Sequence, residues 1–185
     1  MNKNTLLIIA SILTLGSVAA FIGYRNYTKS FSPEAEATFQ QNGFKIGITF
    51  CQPAKKGRLL FGREQDKALV PYNKVWRTGA NEATVFTLTK NVQIAGTPIQ
   101  AGTYSLWTIP GPGNWQVVIN QESGQWGTEY NDGKDLARIE VPIRIKTPVT
   151  ENFTIYFEEK ENGANMILSW DQTEAVIPIT ADNFE

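Results

Sequence analysis

The sequence predicts an all-β domain, an antiparallel β-sandwich or jelly-roll-like fold, preceded by one N-terminal transmembrane helix. Three observations predict this. Residues 5–24 contain no charged side chain. From residue 43 onward, apolar and polar residues alternate with the period of two that is typical of strands. Turns rich in glycine and proline separate these runs, and no amphipathic helix of useful length interrupts them. The expected segments are 1–24 as signal-anchor or signal peptide, 25–42 as a polar stalk and 43–185 as the domain.

The N-terminal apolar run begins at Thr5 and ends at Tyr24, with Lys3 before it and Arg25 after it. Twenty helical residues span about 30 Å, the thickness of a bilayer core. We therefore expect the chain to contact a membrane through residues 5–24. Small residues before the Ala20–Phe21 bond also fit a signal peptide cut after Ala20. The apolar stretch continues past this bond, which favours an uncleaved anchor.

The strand predictions rest on alternation and turn chemistry. The clearest strand runs from Leu136 to Ile145, and Pro142 predicts an edge or an interruption because proline cannot donate to a ladder. Residues 153–158 and 166–170 alternate on either side of an Asn-Gly turn, which predicts a β-hairpin. The other predicted strands are Phe44–Phe50, Ala83–Lys90, Val92–Ile94, Thr103–Ile109, Trp115–Asn120 and Glu174–Thr180. Together they make eight or nine short strands.

Composition excludes several classes of function. Beyond residue 30 the chain carries 14 basic and 18 acidic side chains, which argues against a nucleic acid partner because phosphate binding needs a basic face. The chain has no histidine, so the commonest general base and most zinc and copper sites are missing. The single Cys51 ends an apolar run and is expected to be a small buried side chain. No motif predicts a cofactor or a metal site.

The polar stretch from Trp76 to Glu82 is the main candidate for a site. Arg77 offers a planar fork of donors that Glu82 could receive, and Asn81 can satisfy backbone groups in a turn. One interpretation is a buried Arg–Glu–Asn network that braces a loop. A second is a polar ligand pocket in which Arg77 binds a carboxylate or sulfate beside a wall formed by Trp76. Catalysis by Glu82 is a third, and it would need a second acid.

Two further tryptophans and one arginine complete the candidate ligand-binding residues. Trp107 lies on the strand face opposite Leu106 and is expected to be partly exposed, while Trp126 lies in a loop. Exposed aromatic rings are what a sugar-binding face needs, although core or interface packing explains them as well. Arg58 belongs to a basic cluster around a glycine that is also typical of a solvated turn. Trp115 and Trp170 are in phase with core positions.

Four stretches together resemble a known family. They are Gly57-Arg58 with Phe61-Gly62, the run VPYNKVWRTGANEAT at 70–84, the run AGTYSLWTIP at 101–110, and QWG at 125–127. In this order they are similar to the exported bacterial family called domain of unknown function 2911, over roughly residues 44–171. The resemblance implies a secreted β-sandwich domain, often behind a signal peptide, and it implies no activity.

The resemblance also decides the expected orientation. Lys3 favours an N-terminus inside the cell, whereas Arg25 and Lys29 favour the opposite. Because the family is typically exported, we expect the domain outside the cytoplasm, either periplasmic or at the cell surface. It would be secreted if the N-terminal segment is cleaved.

Three functions follow from these features. The first is a non-enzymatic domain that binds a small polar ligand or a glycan. The second is a structural or protein-interaction module of the cell envelope, with an envelope protein as its partner. The third and weakest is a carboxylate-dependent glycoside hydrolase, which needs two acids at a set separation.

Overall fold

The chain begins with one long helix, α1 (Lys3–Phe31), in a computed structural model that describes residues 2–41 and 43–181. Asn2 caps the helix by accepting a hydrogen bond from the backbone N–H of Asn4 at 2.7 Å. No side chain of α1 is buried, and its length and apolar composition are sufficient to cross a membrane. The predicted N-terminal apolar helix is confirmed.

Eleven strands and two short 3₁₀ helices follow in the part of the chain that the structure describes. The 3₁₀ helices are Glu64–Asp66 and Asp132–Lys134. The strands are β1 (Glu34–Gln41), β2 (Phe44–Cys51), β3 (Phe61–Gly62), β4 (Val70–Pro71), β5 (Thr84–Leu88), β6 (Val92–Ile94), β7 (Thr97–Ile99), β8 (Gly102–Ile109), β9 (Asn114–Asn120), β10 (Asp135–Lys160) and β11 (Gly163–Ala181).

Nine strands form one antiparallel sheet in the order β1-β2-β5-β8-β9-β10-β11-β6-β7, while β3 and β4 form a small parallel pair. The long strand β10 changes partner along its length. Its first part pairs with β9 as far as Pro142, and its second part pairs with β11 from Ile143 onward. The Phe39 ring of β1 contacts the Phe157 ring of β10 at 5.6 Å. The sheet therefore folds over its own core, which confirms the predicted all-β antiparallel class.

The core lies between the two halves of this sheet. Alternate residues of β2, β5, β8, β9 and β11 point into it, as the period of two requires. The buried side chains include Trp115 and Trp170, each 1% exposed, in agreement with their predicted phase. The predicted hairpin is also present, because Lys160 pairs with Gly163 across its turn.

The region expected to be a polar stalk has regular structure. Residues 25–31 continue α1, and residues 34–41 form β1, which pairs with β2 along its whole length. Ala35, Ala37 and Phe39 alternate with polar residues, so β1 has the pattern of an edge strand with one face on the core. Residues 1, 42 and 182–185 of the predicted segments lie outside the described residues.

Candidate functional site

A cavity of about 590 Å³ opens where the end of α1 meets the loops before β3 and β5, and we call it the loop-end cavity. Four of the seven candidate ligand-binding residues line it, namely Arg58, Trp76, Arg77 and Asn81. Its other lining residues come from the helix end, the loops before β3 and β5, the start of β4 with the residue before it, and β11; they are Phe31, Ser32, Pro53, Ala54, Lys56, Leu69, Val70, Gly79, Ala80 and Trp170. None of the lining residues is acidic.

Arg77 lines this cavity. Its guanidinium has no carboxylate partner among the described residues. It donates one hydrogen bond, from Nη1 to the backbone carbonyl of Asn81 at 3.3 Å. Within residues 2–41 and 43–181 it forms no ion pair. Burial lowers the pKa of Arg77, but an arginine stays charged at any physiological pH. A half-buried charge without a counter-ion favours an anion at this position.

Two more cations lie at the rim of the cavity. Lys56 and Arg58 are exposed, and neither forms an ion pair with a carboxylate of the described residues. Arg58 instead donates to the backbone carbonyls of Ala54 and Lys55. Lys55 differs from its neighbours, because its Nζ lies 2.6 Å from Asp171 Oδ1. The basic turn therefore contributes two side-chain charges without an ion pair, although the Glu151 carboxylate accepts from the backbone N–H of Lys56 at 2.8 Å.

Trp76 forms an aromatic wall of the cavity. Its backbone pairs with Thr108 of β8 in both directions, at 2.7 and 2.9 Å, and its indole N–H donates to the carbonyl of Gly79 at 3.0 Å. Its ring stacks on Trp170 with centroids 5.7 Å apart and an interplanar angle of 17°. Trp76 is 8% exposed, so little of its ring is free to stack on a ligand.

The loop that carries Arg77 and Asn81 has an unusual backbone. Thr78 and Asn81 adopt positive φ angles of 53° and 60°, and Gly79 has a φ of 154°. A Cβ at Gly79 would lie 3.0 Å from the carbonyl oxygen of Cys51, which explains the glycine there. The Thr84 hydroxyl donates to the Thr78 carbonyl at 2.6 Å and closes the loop.

Glu82 faces away from Arg77 and lines a smaller cavity of about 170 Å³. Its carboxylate accepts from Arg25 of α1 and lies 3.7 Å from Lys29 Nζ. The predicted Arg–Glu–Asn network is therefore wrong, since the helix supplies the partner of Glu82. Glu34 is a second acid nearby, because its Oε2 lies 2.6 Å from the same Lys29 Nζ.

The electrostatics of Glu82 do not suit a general acid. Burial alone would raise the pKa of Glu82, but its backbone hydrogen bond, Arg25 and Lys29 together hold that pKa below its usual value. A catalytic acid of a glycosidase needs a raised pKa. The neighbouring Cys51 is buried, and burial raises its thiol pKa, as expected of an inert thiol.

The two remaining tryptophan candidates lie outside the loop-end cavity. Trp107 is 1% exposed, so the expected partial exposure is wrong: loop 121–131 covers it, with the Tyr130 ring at 4.8 Å. Trp126 is half-buried, and its ring lies 6.3 Å from that of Tyr24 in α1. Trp107 and Trp126 therefore do not form a common sugar-binding face.

Several lining residues were not among the sequence candidates. Phe31 and Ser32 come from a segment expected to be a stalk, and Lys56 was assigned to a solvated turn. The clustering of Lys55, Lys56 and Arg58 was the one sequence signal that could have found Lys56. Within the described part of the chain, no group of three or more Cys, Asp and Glu residues could hold a metal ion.

Comparisons with known proteins found one family. A family model described as "Protein of unknown function (DUF2911)" matches residues 32–179. Its first matched residue is the C-cap of α1, and the matched range contains β1 to β10 in full and β11 as far as Ile179. No curated protein and no solved structure matches the chain.

Proposed function

This chain belongs to the DUF2911 family of proteins of unknown function, and we propose that its domain binds a small anionic ligand in the loop-end cavity without transforming it. One observation carries this proposal. Three cations, Lys56, Arg58 and Arg77, line the cavity, and none of their side chains forms an ion pair with a carboxylate of the described residues. Arg77 is half-buried, and a folded protein normally pairs such a charge, so its unpaired guanidinium favours binding of an anion.

The geometry supports a carboxylate, sulfate or phosphate group as the recognised part. An arginine fork binds such oxygens in pairs, and lysine adds a point charge. A glycan fits only through an acidic group, because Trp76 is 8% exposed and Trp107 is buried, so neither offers a free ring face. The ligand class is therefore a small anion or an acidic sugar.

The proposed binding is tested by calorimetry on the full-length protein in phosphatidylcholine nanodiscs. Glucuronate and sulfate serve as anionic probes, with glucose as the neutral control. We expect both anions to bind and glucose not to bind. Arg77→Gln should weaken binding at least about tenfold, because a hydrogen bond to a charged group contributes about 1.5–3 kcal/mol.

Two further variants separate binding from folding. Lys56→Gln should weaken binding without changing stability, since Lys56 is exposed. Lys90→Gln is the matched control, because Lys90 is exposed and lies beyond the opposite end of β5 from the cavity. Unchanged anion binding in Arg77→Gln and Lys56→Gln, or no anion binding by the wild type, would contradict the proposal.

The other two predicted functions have less support. A carboxylate pair exists in Glu34 and Glu82, but both lie against Lys29 and the pKa of Glu82 is lowered. Glu82 therefore lacks the raised pKa that a glycosidase acid needs. An envelope interaction module predicts partners after crosslinking and no anion binding, so the same calorimetry separates it from the proposed function.

We also propose that α1 is retained as an anchor and that the domain lies outside the cytoplasm. Lys3 before the apolar run supports an N-terminus inside the cell. The intact mass of the purified protein tests retention, since cleavage after Ala20 would remove residues 1–20. C-terminal fusions to alkaline phosphatase and to a fluorescent protein test the side, and activity of the phosphatase fusion is the expected result. A fluorescent fusion with an inactive phosphatase would contradict this orientation.

A further inference from the structure

We propose, building on the anion site just described, that its ligand is the phosphodiester headgroup of an anionic lipid in the membrane that holds α1. The starting observation is the position of the cavity along the chain. Phe31 is the last residue of α1 and Ser32 is its C-cap, and both line the cavity. The membrane segment therefore leads directly into the wall of the anion site.

The distance from the membrane follows from helix geometry. The uncharged run ends at Tyr24, seven residues before Phe31, and at 1.5 Å per residue this places Phe31 about 10 Å beyond the apolar run. The headgroup layer of one leaflet is about 5–7 Å thick. Phe31 thus lies about 3–5 Å beyond the headgroup layer, a gap that the long side chain of an exposed lysine or arginine can span to contact a phosphate.

Contacts between α1 and the domain hold the cavity at this height. Arg25 binds the carboxylate of Glu82, and Lys29 lies 2.6 Å from Glu34. The Tyr24 and Trp126 rings are 6.3 Å apart, at the level where tyrosine and tryptophan prefer the membrane interface. These contacts lie at successive turns of α1, so the domain does not pivot freely about the end of the helix.

The ion pairs favour the cavity rather than the helix end as the lipid site. The basic residues of the helix end are already used, because Arg25 and Lys29 pair with Glu82 and Glu34. Lys56, Arg58 and Arg77 are cations around the cavity whose side chains form no ion pair with a carboxylate of the described residues. An anionic leaflet raises the local concentration of phosphate groups at this position. A lipid headgroup in the same membrane would thus meet these charges without diffusing from solution.

Crosslinking tests the proposal on the full-length protein. Nanodiscs contain phosphatidylcholine together with phosphatidylglycerol that carries a diazirine in its headgroup, and crosslinked peptides are mapped by mass spectrometry. We expect crosslinks at residues 53–58 and 76–81. Arg77→Gln and the exposed-site variant Lys56→Gln should reduce them several-fold, whereas Lys90→Gln should not.

A soluble phosphate ester with the same chemical group as the lipid headgroup is tested in parallel. Glycerol phosphate is titrated into the protein in phosphatidylcholine nanodiscs. If it binds and the lipid crosslinks map only to residues 3–24, the lipid proposal is overturned while the anion site stands. If neither glycerol phosphate nor glucuronate binds and cavity crosslinks are missing, both proposals are overturned. Equal cavity crosslinking in Arg77→Gln, Lys56→Gln and wild type also overturns the lipid proposal.

Discussion

Arg25, the first charged residue after the apolar run, donates a hydrogen bond to the carboxylate of Glu82, 57 residues later in the chain. This bond joins the end of the apolar helix to the loop that carries Arg77 and Asn81. Lys29 lies 3.7 Å from the same carboxylate, and Asn81 Nδ2 lies 3.5 Å from the Ser32 carbonyl. The helix end is therefore part of the candidate site rather than a separate tether.

A double-mutant cycle of Arg25→Gln and Glu82→Gln should measure this connection. The guanidinium is 40% exposed, so we expect a coupling free energy of about 0.2–1 kcal/mol, in the range of exposed ion pairs. The measurement is thermal unfolding of the full-length protein in nanodiscs. Lys74→Gln, which removes an exposed pair with Glu64, is the control and should change stability little.

The coupling free energy between Arg25 and Glu82 should fall as the pH is lowered. The folded pKa of Glu82 is lower than the 4.5 of a free glutamate, so the ionised carboxylate stabilises the folded state. This contribution is complete above that value and is lost as the pH falls through the lower folded pKa. A coupling free energy that rises on acidification would contradict the assignment.

Gly127→Ala should weaken binding at the anion site although it replaces no charged residue. A Cβ at Gly127 would lie 2.2 Å from Arg77 Cδ and 2.6 Å from the Asn81 carbonyl oxygen. The Arg77 side chain must move, so we expect anion binding to weaken at least about tenfold, as for loss of the Arg77 contact itself. Calorimetry with glucuronate measures this.

The matched control for this variant is Gly113→Ala. Gly113 has open space around its Cβ position and no positive φ, so its substitution should leave binding unchanged. Full glucuronate affinity in Gly127→Ala would show that Arg77 does not hold the anion.

Local patterns predicted the strands well because each strand buries one face. The alternation around Leu136 and the hairpin after residue 158 both depend on neighbours in sequence, and both appear in the structure, although the turn consists of Glu161 and Asn162 and Gly163 already pairs with Lys160. The edge strand β1 was missed, although Ala35, Ala37 and Phe39 carry the alternation. Small alanines between glutamates give a weak signal, since an edge strand exposes most of its surface.

The candidate site was predictable only in part. Trp76, Arg77 and Asn81 are neighbours in sequence, and they do line one cavity. The partner of Glu82 could not be found, because Arg25 is brought to it by the packing of α1. Trp107 was assigned to the correct face of its strand. Its burial was missed because a loop distant in sequence covers it, and alternation along one strand carries no information about such a loop.

Cys51 should resist alkylation in the folded protein. Burial raises the pKa of this thiol, although the amide of Asn81 at 3.6 Å partly opposes the shift. The thiolate is the reactive form, so we expect iodoacetamide at neutral pH to modify the native protein slowly and the denatured protein quickly. Mass spectrometry over time measures both rates.

An exposed thiol provides the comparison for Cys51. Ser123 lies in an exposed turn, and Ser123→Cys on a Cys51→Ala background should react at the rate of the denatured protein. If Cys51 in the native protein reacts as fast as this engineered thiol, then Cys51 is not buried and protonated in solution.

Glu174 is a buried acid of β11 that contacts three side chains of β10. Its side chain is 3% exposed, and it accepts from Arg144 Nε at 2.6 Å and Tyr156 Oη at 2.9 Å, with Lys146 Nζ 3.3 Å away. Glu174→Gln leaves Lys146 without its carboxylate partner and leaves Arg144 with Glu158 alone. We expect a loss of about 1–3 kcal/mol in the free energy of unfolding, measured by denaturant titration.

The pH dependence of stability shows whether the charge of Glu174, rather than its packing alone, stabilises the β10–β11 hairpin. Burial alone would raise the pKa of Glu174, but the hydrogen bonds from Arg144 and Tyr156 outweigh it and lower the pKa below 4.5. The stabilisation is therefore complete above 4.5 and is lost as the pH falls through the folded pKa. Wild type should lose stability in that acidic range more steeply than Glu174→Gln. Glu140→Gln, at an exposed position of β10, should follow the wild-type curve. Parallel acid curves for wild type and Glu174→Gln would contradict a charged role for Glu174.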